Sequence, residues 1–171
     1  MKCPDCGIEM VRLSKGFVCE QCANIRLDSD IQRGFVFKLP VKVYLRTRKR
    51  DNKDVNFRLN LNNYRNTNQF DLAKAKVKYA KDIQPLMEGC PVFKKIKIEY
   101  KLFVRVVKKE KRIDTNNILS IVDKFFCDSL VTNELIKDDD YHFLVSTTNE
   151  FGGFDYDCPD HYVIATVKEQ I

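Results

Sequence analysis

Three groups of residues in this chain have the types and spacing that chemistry needs. Asp114, Asn116 and Asn117 head a predicted helix, Lys124 and Asp128 stand one turn apart within it, and Asp138, Asp139 and Asp140 follow it. Carboxylates at both ends of one helix suit a phosphodiester-cleaving site built on a hard divalent cation. Magnesium takes oxygen ligands, keeps several waters, and needs only one or two protein carboxylates when phosphate oxygens complete its shell. An ion so held activates water and stabilises the leaving oxygen. A fold that returns Asp139 to Asp114 makes such a site, with Asn116 and Asp138 assisting. An acidic run alone is more often solvated surface, and it is the arrangement around the helix that argues for a site.

The amino terminus carries a second kind of chemistry. Cys3 and Cys6 form one CxxC pair, Cys19 and Cys22 another, with twelve residues between the pairs and with Gly7 and Gly16 nearby. That is the spacing of a zinc ribbon, in which four thiolates close a tetrahedron and leave no position for catalysis. A segment of about 25 residues cannot bury enough core to fold without its metal. A disulfide framework is less favoured, because the chain has seven cysteines and Met1 runs straight into the ribbon with no signal peptide. The expectation is a reduced, intracellular protein. Cys90, Cys127 and Cys158 read as unrelated thiols. His142 and His161 fall in predicted strands and read as ordinary strand residues, although Asp157, Cys158 and Asp160 beside His161 leave a loose metal site open.

The elements that must position these residues are legible from periodicity. Ile96, Ile98, Tyr100, Leu102, Val104 and Val106 alternate with charged residues, predicting a strand with one wet face. Ile118, Val122, Phe125, Phe126 and Leu130 have helical spacing, with Asn116 or Asn117 as N-cap and an exit near Asn133. Residues 28–34 read as a polar linker, and Phe35 to Arg46 as a strand with Val41, Val43 and Leu45 on one face. Asn56 to Asn60 reads as a short returning strand and residues 62–66 as a polar loop. Phe70 to Met87 reads as a helix using Leu72, Ala75, Tyr79, Ile83 and Leu86 as its apolar side, with Pro85 near its end. Tyr141 to Ser146 and His161 to Lys168 read as strands joined by a loop containing Gly152 and Gly153. The resulting fold class is α+β, a mixed sheet with two main helices on one face, preceded by the small ribbon. The domains are residues 1–27, the linker 28–34, and the main domain 35–171.

Charge is segregated along the chain. Residues 1–41 balance at +1, residues 42–112 hold 21 basic against seven acidic residues for +14, and residues 113–171 hold three against twelve for −9. Arg46, Arg48, Lys49 and Arg50 cluster at a strand end, and Lys108, Lys109, Lys111 and Arg112 crowd the approach to Asp114. A basic middle neutralises a phosphate backbone while carboxylates hold a metal against it, so nucleic acid is the expected partner. An ordinary charged surface is the bland alternative. No apolar run is long enough to span a membrane, and no small-molecule cofactor is expected.

The pattern Asp114-x-Asn116-Asn117, Lys124-x-x-x-Asp128-x-Leu130 and Asp138-Asp139 resembles the RusA family of Holliday-junction resolvases, its phage-borne branch most closely. Leu61-Asn62-Asn63-Tyr64-Arg65 is similar to the family's early Asn-Asn motif, so the likeness covers roughly residues 40–168. It implies a homodimeric, magnesium-dependent endonuclease cutting four-way and other branched DNA in the bacterial cytoplasm. Asp114, Asn116, Lys124 and Asp139 would be catalytic, with Asp114, Asn116, Asp138 and Asp139 on magnesium. Asn63 and Arg65 would join the basic clusters on DNA. Two departures stand out. Asn116 replaces an expected aspartate, keeping a carbonyl oxygen but losing a charge, and Lys124 lies about one helical turn late, so Ser120 competes for its place. The departures leave room for a branched-DNA-binding protein without cleavage, or for a zinc-ribbon accessory factor of transcription or replication.

Overall fold

The computed structural model describes residues 9, 11–13, 16–18, 25–27, 34–50, 52–106 and 113–170. The chain divides into two units, residues 1–33 and 34–171. In the first, β1 (Val11–Leu13), β2 (Gly16–Val18) and β3 (Ile25–Leu27) form an antiparallel meander, with Val11 opposite Val18 and Gly16 opposite Leu27. Cys3, Cys6, Cys19 and Cys22 lie outside the described residues, as do Lys108, Lys109, Lys111 and Arg112.

The second unit is α+β. Its elements are β4 (Gly34–Pro40), β5 (Lys42–Arg48), β6 (Lys53–Arg58), α1 (Leu61–Asn66), α2 (Gln69–Ile83), β7 (Ile96–Arg105), α3 (Thr115–Thr132), β8 (Leu144–Asp155) and β9 (Tyr162–Glu169). Four strands form a mixed sheet in the order β4-β9-β7-β8, and β5 pairs with β6 in a separate hairpin. β9 runs antiparallel to both neighbours, whereas β7 and β8 are parallel, with Ile96 beside Leu144 and Arg105 beside Asp155. α3 is therefore the crossover of a parallel pair. This topology decides where the acidic groups go. Asp114 follows the C-terminal end of β7, and residues 138–140 precede the N-terminal end of β8, at the opposite end of this parallel pair.

The expected alternation holds along β7, where Ile96, Ile98, Tyr100, Leu102 and Val104 are buried. They meet the apolar stripe of α3, in which Leu119, Val122, Phe125, Phe126 and Leu130 are buried. Phe126 packs against Phe37 and Tyr100 with ring centroids 5.3 and 6.2 Å away, and Phe125 against Phe57 and Tyr79 at 5.6 Å each. Burying each such side chain contributes about 1.5–3 kcal/mol, which outweighs the polar contacts on the outside of the helix. On the other face of the sheet, Lys38 lies 3.9 Å from the centre of the Tyr162 ring, which stacks on Phe103 at 5.1 Å. A Cβ on Gly152 would come within 2.7 Å of the Phe103 ring, so this stack needs a glycine on β8.

Several sequence expectations are corrected. The single strand over residues 35–46 is two strands in different sheets: the chain leaves β4 at Pro40, which has no N–H to continue a ladder, and buried Val41 marks the turn into β5. Gly34, read as linker, opens β4. The returning strand is Lys53–Arg58. Residues 62–66 are helical rather than a loop, because the Asn60 side chain caps α1 by accepting from the Asn63 amide at 2.9 Å. α2 ends at Ile83 and tightens into a 3-10 turn over Gln84–Met87 at Pro85, which leaves Leu86 exposed. β8 starts at Leu144 and runs to Asp155, so Gly152 and Gly153 lie inside a strand, at a bulge opposite Leu102 and Phe103. His142 belongs to the turn before β8, and His161 immediately precedes β9.

Candidate functional site

The N-cap of α3 is Asp114, not Asn116 or Asn117. Its Oδ1 accepts from the Asn117 amide at 3.1 Å, satisfying one of the orphan donors of the first turn. The side chains of Asp114 and Asn116 are exposed. Asn117 instead reaches α1, where its Oδ1 accepts from the Leu61 amide at 2.8 Å. That bond brings the start of α1 to the start of α3. Asn63 is held by donating from Nδ2 to the Arg58 carbonyl at 3.2 Å, and Arg65 is exposed. A cavity of about 250 Å³ opens here, lined among others by Lys42, Arg58, Asn60, Ile113, Ile118 and His161. The His161 Nδ1 accepts from the Arg105 amide at 2.9 Å. Burial first, and then the charges of Arg58 and Arg105, hold the His161 pKa below its usual value against the opposing pull of Asp160. Asp160 is paired with Lys42.

A second cluster occupies the C-terminal half of α3. Half-buried Asp123 accepts from the Cys127 thiol at 3.4 Å, and the Tyr100 hydroxyl lies 3.9 Å from that sulfur. Desolvation pushes the Asp123 pKa up; hydrogen bonds from Tyr100 and Cys127 oppose this, and the charge of Asp139 adds to it. Lys124 and Asp128, one turn apart and able to interact, do not pair. Asp128 Oδ2 forms an ion pair with Lys76 of α2 at 2.6 Å, and Lys124 is exposed. Lys76, Lys81, Gln84, Asp128, Asp138 and Asp139 line a cleft of about 670 Å³ between α2 and the end of α3. The acidic run is partly committed to its own turn. Asp138 Oδ1 accepts from the Asp139 amide at 2.8 Å, and Asp140 Oδ1 accepts from the His142 amide at 2.7 Å. The latter bond is the main reason that the Asp140 pKa falls.

The helix keeps the two ends apart. Asp114 and Asp128 are separated by most of α3, on the order of 20 Å at ~1.5 Å per residue. Asp139 shares a cleft with Asp128, so one chain does not bring Asp139 or Asp138 back to Asp114 as expected from the sequence. The physical reason is the parallel crossover, which must carry the chain from the C-terminal end of β7 back to the N-terminal end of β8. Among the described residues, no three His, Cys, Asp or Glu side chains converge to hold a metal ion. Ser120 is exposed one turn beyond Asn116. Sequence reasoning missed Asp123, Lys76, Lys42 and Arg58 as members of these clusters. Their partners lie far away in sequence, and only Asp123, four residues before Cys127, left a local trace.

The first basic cluster lies on the β5–β6 hairpin. Val43 and Phe57 bury the base of the β5–β6 hairpin, while every described residue from Arg46 to Asp54 is exposed. Arg46, Arg48, Lys49 and Arg50 therefore sit at the solvated end of a two-stranded ribbon. The turn is shaped by Asn52, whose φ of 49° is left-handed, and by Thr47, which donates to Asp54 at 3.0 Å. Among the described residues, no helix is long and apolar enough to cross a membrane. In comparisons with known proteins, the chain matches no family model and no curated protein.

Proposed function

We propose that the chain is a structure-selective endodeoxyribonuclease of the RusA kind, resolving four-way and other branched DNA by magnesium-dependent phosphodiester cleavage as a homodimer. The observation that carries this reading is the bond from the Leu61 amide to Asn117. It joins the two motifs of the resemblance, Asn62-Asn63-Tyr64-Arg65 and Asp114-x-Asn116-Asn117, at one end of one helix. That end lies past the carboxyl end of β7, the edge where parallel strands commonly present their ligand sites.

The residues at this end fit magnesium in type. Asp114 uses Oδ1 as a cap and keeps Oδ2, and exposed Asn116 offers an amide oxygen. One carboxylate and one amide suffice where phosphate and water complete the shell. Magnesium held there supplies the positive charge that activates water and neutralises the scissile phosphate. Asn63 and Arg65 on α1 and the basic tip of the hairpin hold the DNA backbone. Lys124, Asp138 and Asp139 stand towards the other end of α3, where Lys124 steadies a neighbouring phosphate. The amino-terminal unit is read as a zinc ribbon on Cys3, Cys6, Cys19 and Cys22. Its support is a three-stranded meander, with one cysteine pair ahead of β1 and the other between β2 and β3.

The separation of Asp114 from Asp139 along α3, with Asn116 in place of an acid, favours a second reading: a branched-DNA-binding protein that does not cut. The test is a labelled four-way junction and a matched linear duplex, incubated with zinc-loaded protein in magnesium or in chelator. Paired, magnesium-dependent nicks confined to the junction, lost in Asp114→Ala, are the expected result. Tight junction binding without nicks, with cleavage appearing in Asn116→Asp, establishes the second reading instead.

A further inference from the structure

The small cavity beside α3 gathers nitrogen donors from three separated parts of the chain: Lys42 at the start of β5, Arg58 at the end of β6, and His161 ahead of β9. Among the described residues its only acidic lining residue, Asp160, is paired with Lys42. Arg58 has no ion-pair partner among the described residues and remains as uncompensated positive charge. The Arg105 amide occupies the His161 Nδ1, which fixes the neutral ring with its proton on Nε2, so that the remaining polar group of the ring is a donor. Ile113 and Ile118 supply the apolar wall and flank Asp114 in sequence. A volume of about 250 Å³ is several times the ~30 Å³ share of a water molecule, which leaves room for a phosphate group and its waters.

We infer that this cavity is a phosphate-binding pocket in which Arg58 and His161 grip one phosphate group at the end of α3 that carries Asp114. Under the function proposed above, on which this source of the ligand rests, that phosphate lies on the DNA strand next to the one being cut. The pocket fixes the strand's register, while Asp114 and Asn116 face the scissile phosphate. Guanidinium and imidazole groups from different elements line one cavity, and charge-assisted bonds to phosphate are roughly twice as strong as neutral ones.

The chain has two histidines, so His142, in the turn before β8, is an internal control. The full, zinc-loaded chain is titrated with inorganic phosphate while the ring signals of both histidines and the Arg105 amide are followed by NMR. The expected result is a saturable shift of His161 and Arg105 but not of His142, with affinity about tenfold weaker in Arg58→Ala. His161→Asn keeps an acceptor for the Arg105 amide and removes the Nε2 donor; read at that amide, it is also expected to weaken phosphate binding. In a second arm, binding of a labelled four-way junction is measured across a salt series, where Arg58→Ala is expected to lower the salt slope by about one. No saturable shift, or a shift indifferent to Arg58→Ala, overturns the pocket. A phosphate response with an unchanged junction slope keeps the pocket and overturns DNA as its source.

Discussion

Asp123 sits among groups that oppose each other: the Cys127 thiol donates to its carboxylate and the nearby Tyr100 hydroxyl favours its charge, while desolvation and the charge of Asp139 disfavour it. The balance raises its pKa, and the sign of the consequence follows from linkage. Between the unfolded carboxyl value, about 3.9, and the higher folded value, the native state binds more protons than the unfolded chain. Stability contributed by this residue therefore falls as pH rises through that window. Asp123→Asn removes the charge and keeps an amide oxygen for the Cys127 thiol. It is expected to raise the unfolding free energy at pH 8 by on the order of 1 kcal/mol, and by less near pH 4, where the native carboxyl is already protonated. Urea unfolding at the two pH values checks this, and a variant no more stable than the parent at pH 8 removes the conflict. Asp128 is a contrasting case. Its charge is matched by Lys76, so replacing either partner leaves the other charge uncompensated in a half-buried cleft.

At the scale of elements, the junction of α1 with α3 depends on one side chain. Asn117→Ala leaves the Leu61 amide without its acceptor and is expected to cost about 1 kcal/mol, with Asn117→Asp restoring most of it. Hydrogen exchange at Leu61 reads the contact directly; unchanged protection in the alanine variant means that α1 is held otherwise. Such tertiary bonds explain what the sequence could and could not disclose. β7 and α3 were legible because each buries one face, which forces a period of two or of 3.6 onto its apolar residues. α1 has six residues, none of them buried, so no period existed to find, and its capping residue Asn60 looked like loop composition. β8 is an edge strand exposed from Val145 to Phe151, so it shows no alternation, and its glycines read as a turn. Gly152 is required by the ring of Phe103 on the neighbouring strand, a reason invisible from position 152 alone. The candidate site was half legible for the same cause. Asp114 and Asn116 are marked by the start of a helix, but Lys42, Arg58 and His161 meet only after β5, β6 and β9 have been placed.

For the whole molecule, the charge pattern of the sequence becomes a geometric statement once the hairpin is placed. The segment from residue 42 to 112 carries +14, and three of its lysines are engaged by carboxylates from beyond it: Lys42 by Asp160, Lys76 by Asp128 and Lys101 by Glu150. Charges so paired neutralise few phosphates. The solvated tip of the β5–β6 ribbon is different, because Arg46, Lys49 and Arg50 are exposed there, and a two-stranded ribbon is narrow enough to enter a major groove. Removing one lysine or arginine from a phosphate lowers the slope of log affinity against log salt by roughly 0.9 on duplex DNA. The triple variant Arg46→Ala, Lys49→Ala, Arg50→Ala is therefore expected to lower that slope by about two to three, whereas Lys76→Ala, which removes a lysine already paired, leaves it nearly unchanged. Anisotropy of a labelled four-way junction between about 50 and 200 mM salt measures both. Equal slopes in parent and triple variant would place the DNA on another surface, and a large drop in Lys76→Ala would move it to the cleft between α2 and α3. A matched linear duplex separates backbone binding from branch recognition. The ribbon's contribution should appear on both substrates, because bonds to phosphate carry no information about branching; under the proposed function, a preference for the junction comes from how the two sites of the proposed dimer are spaced.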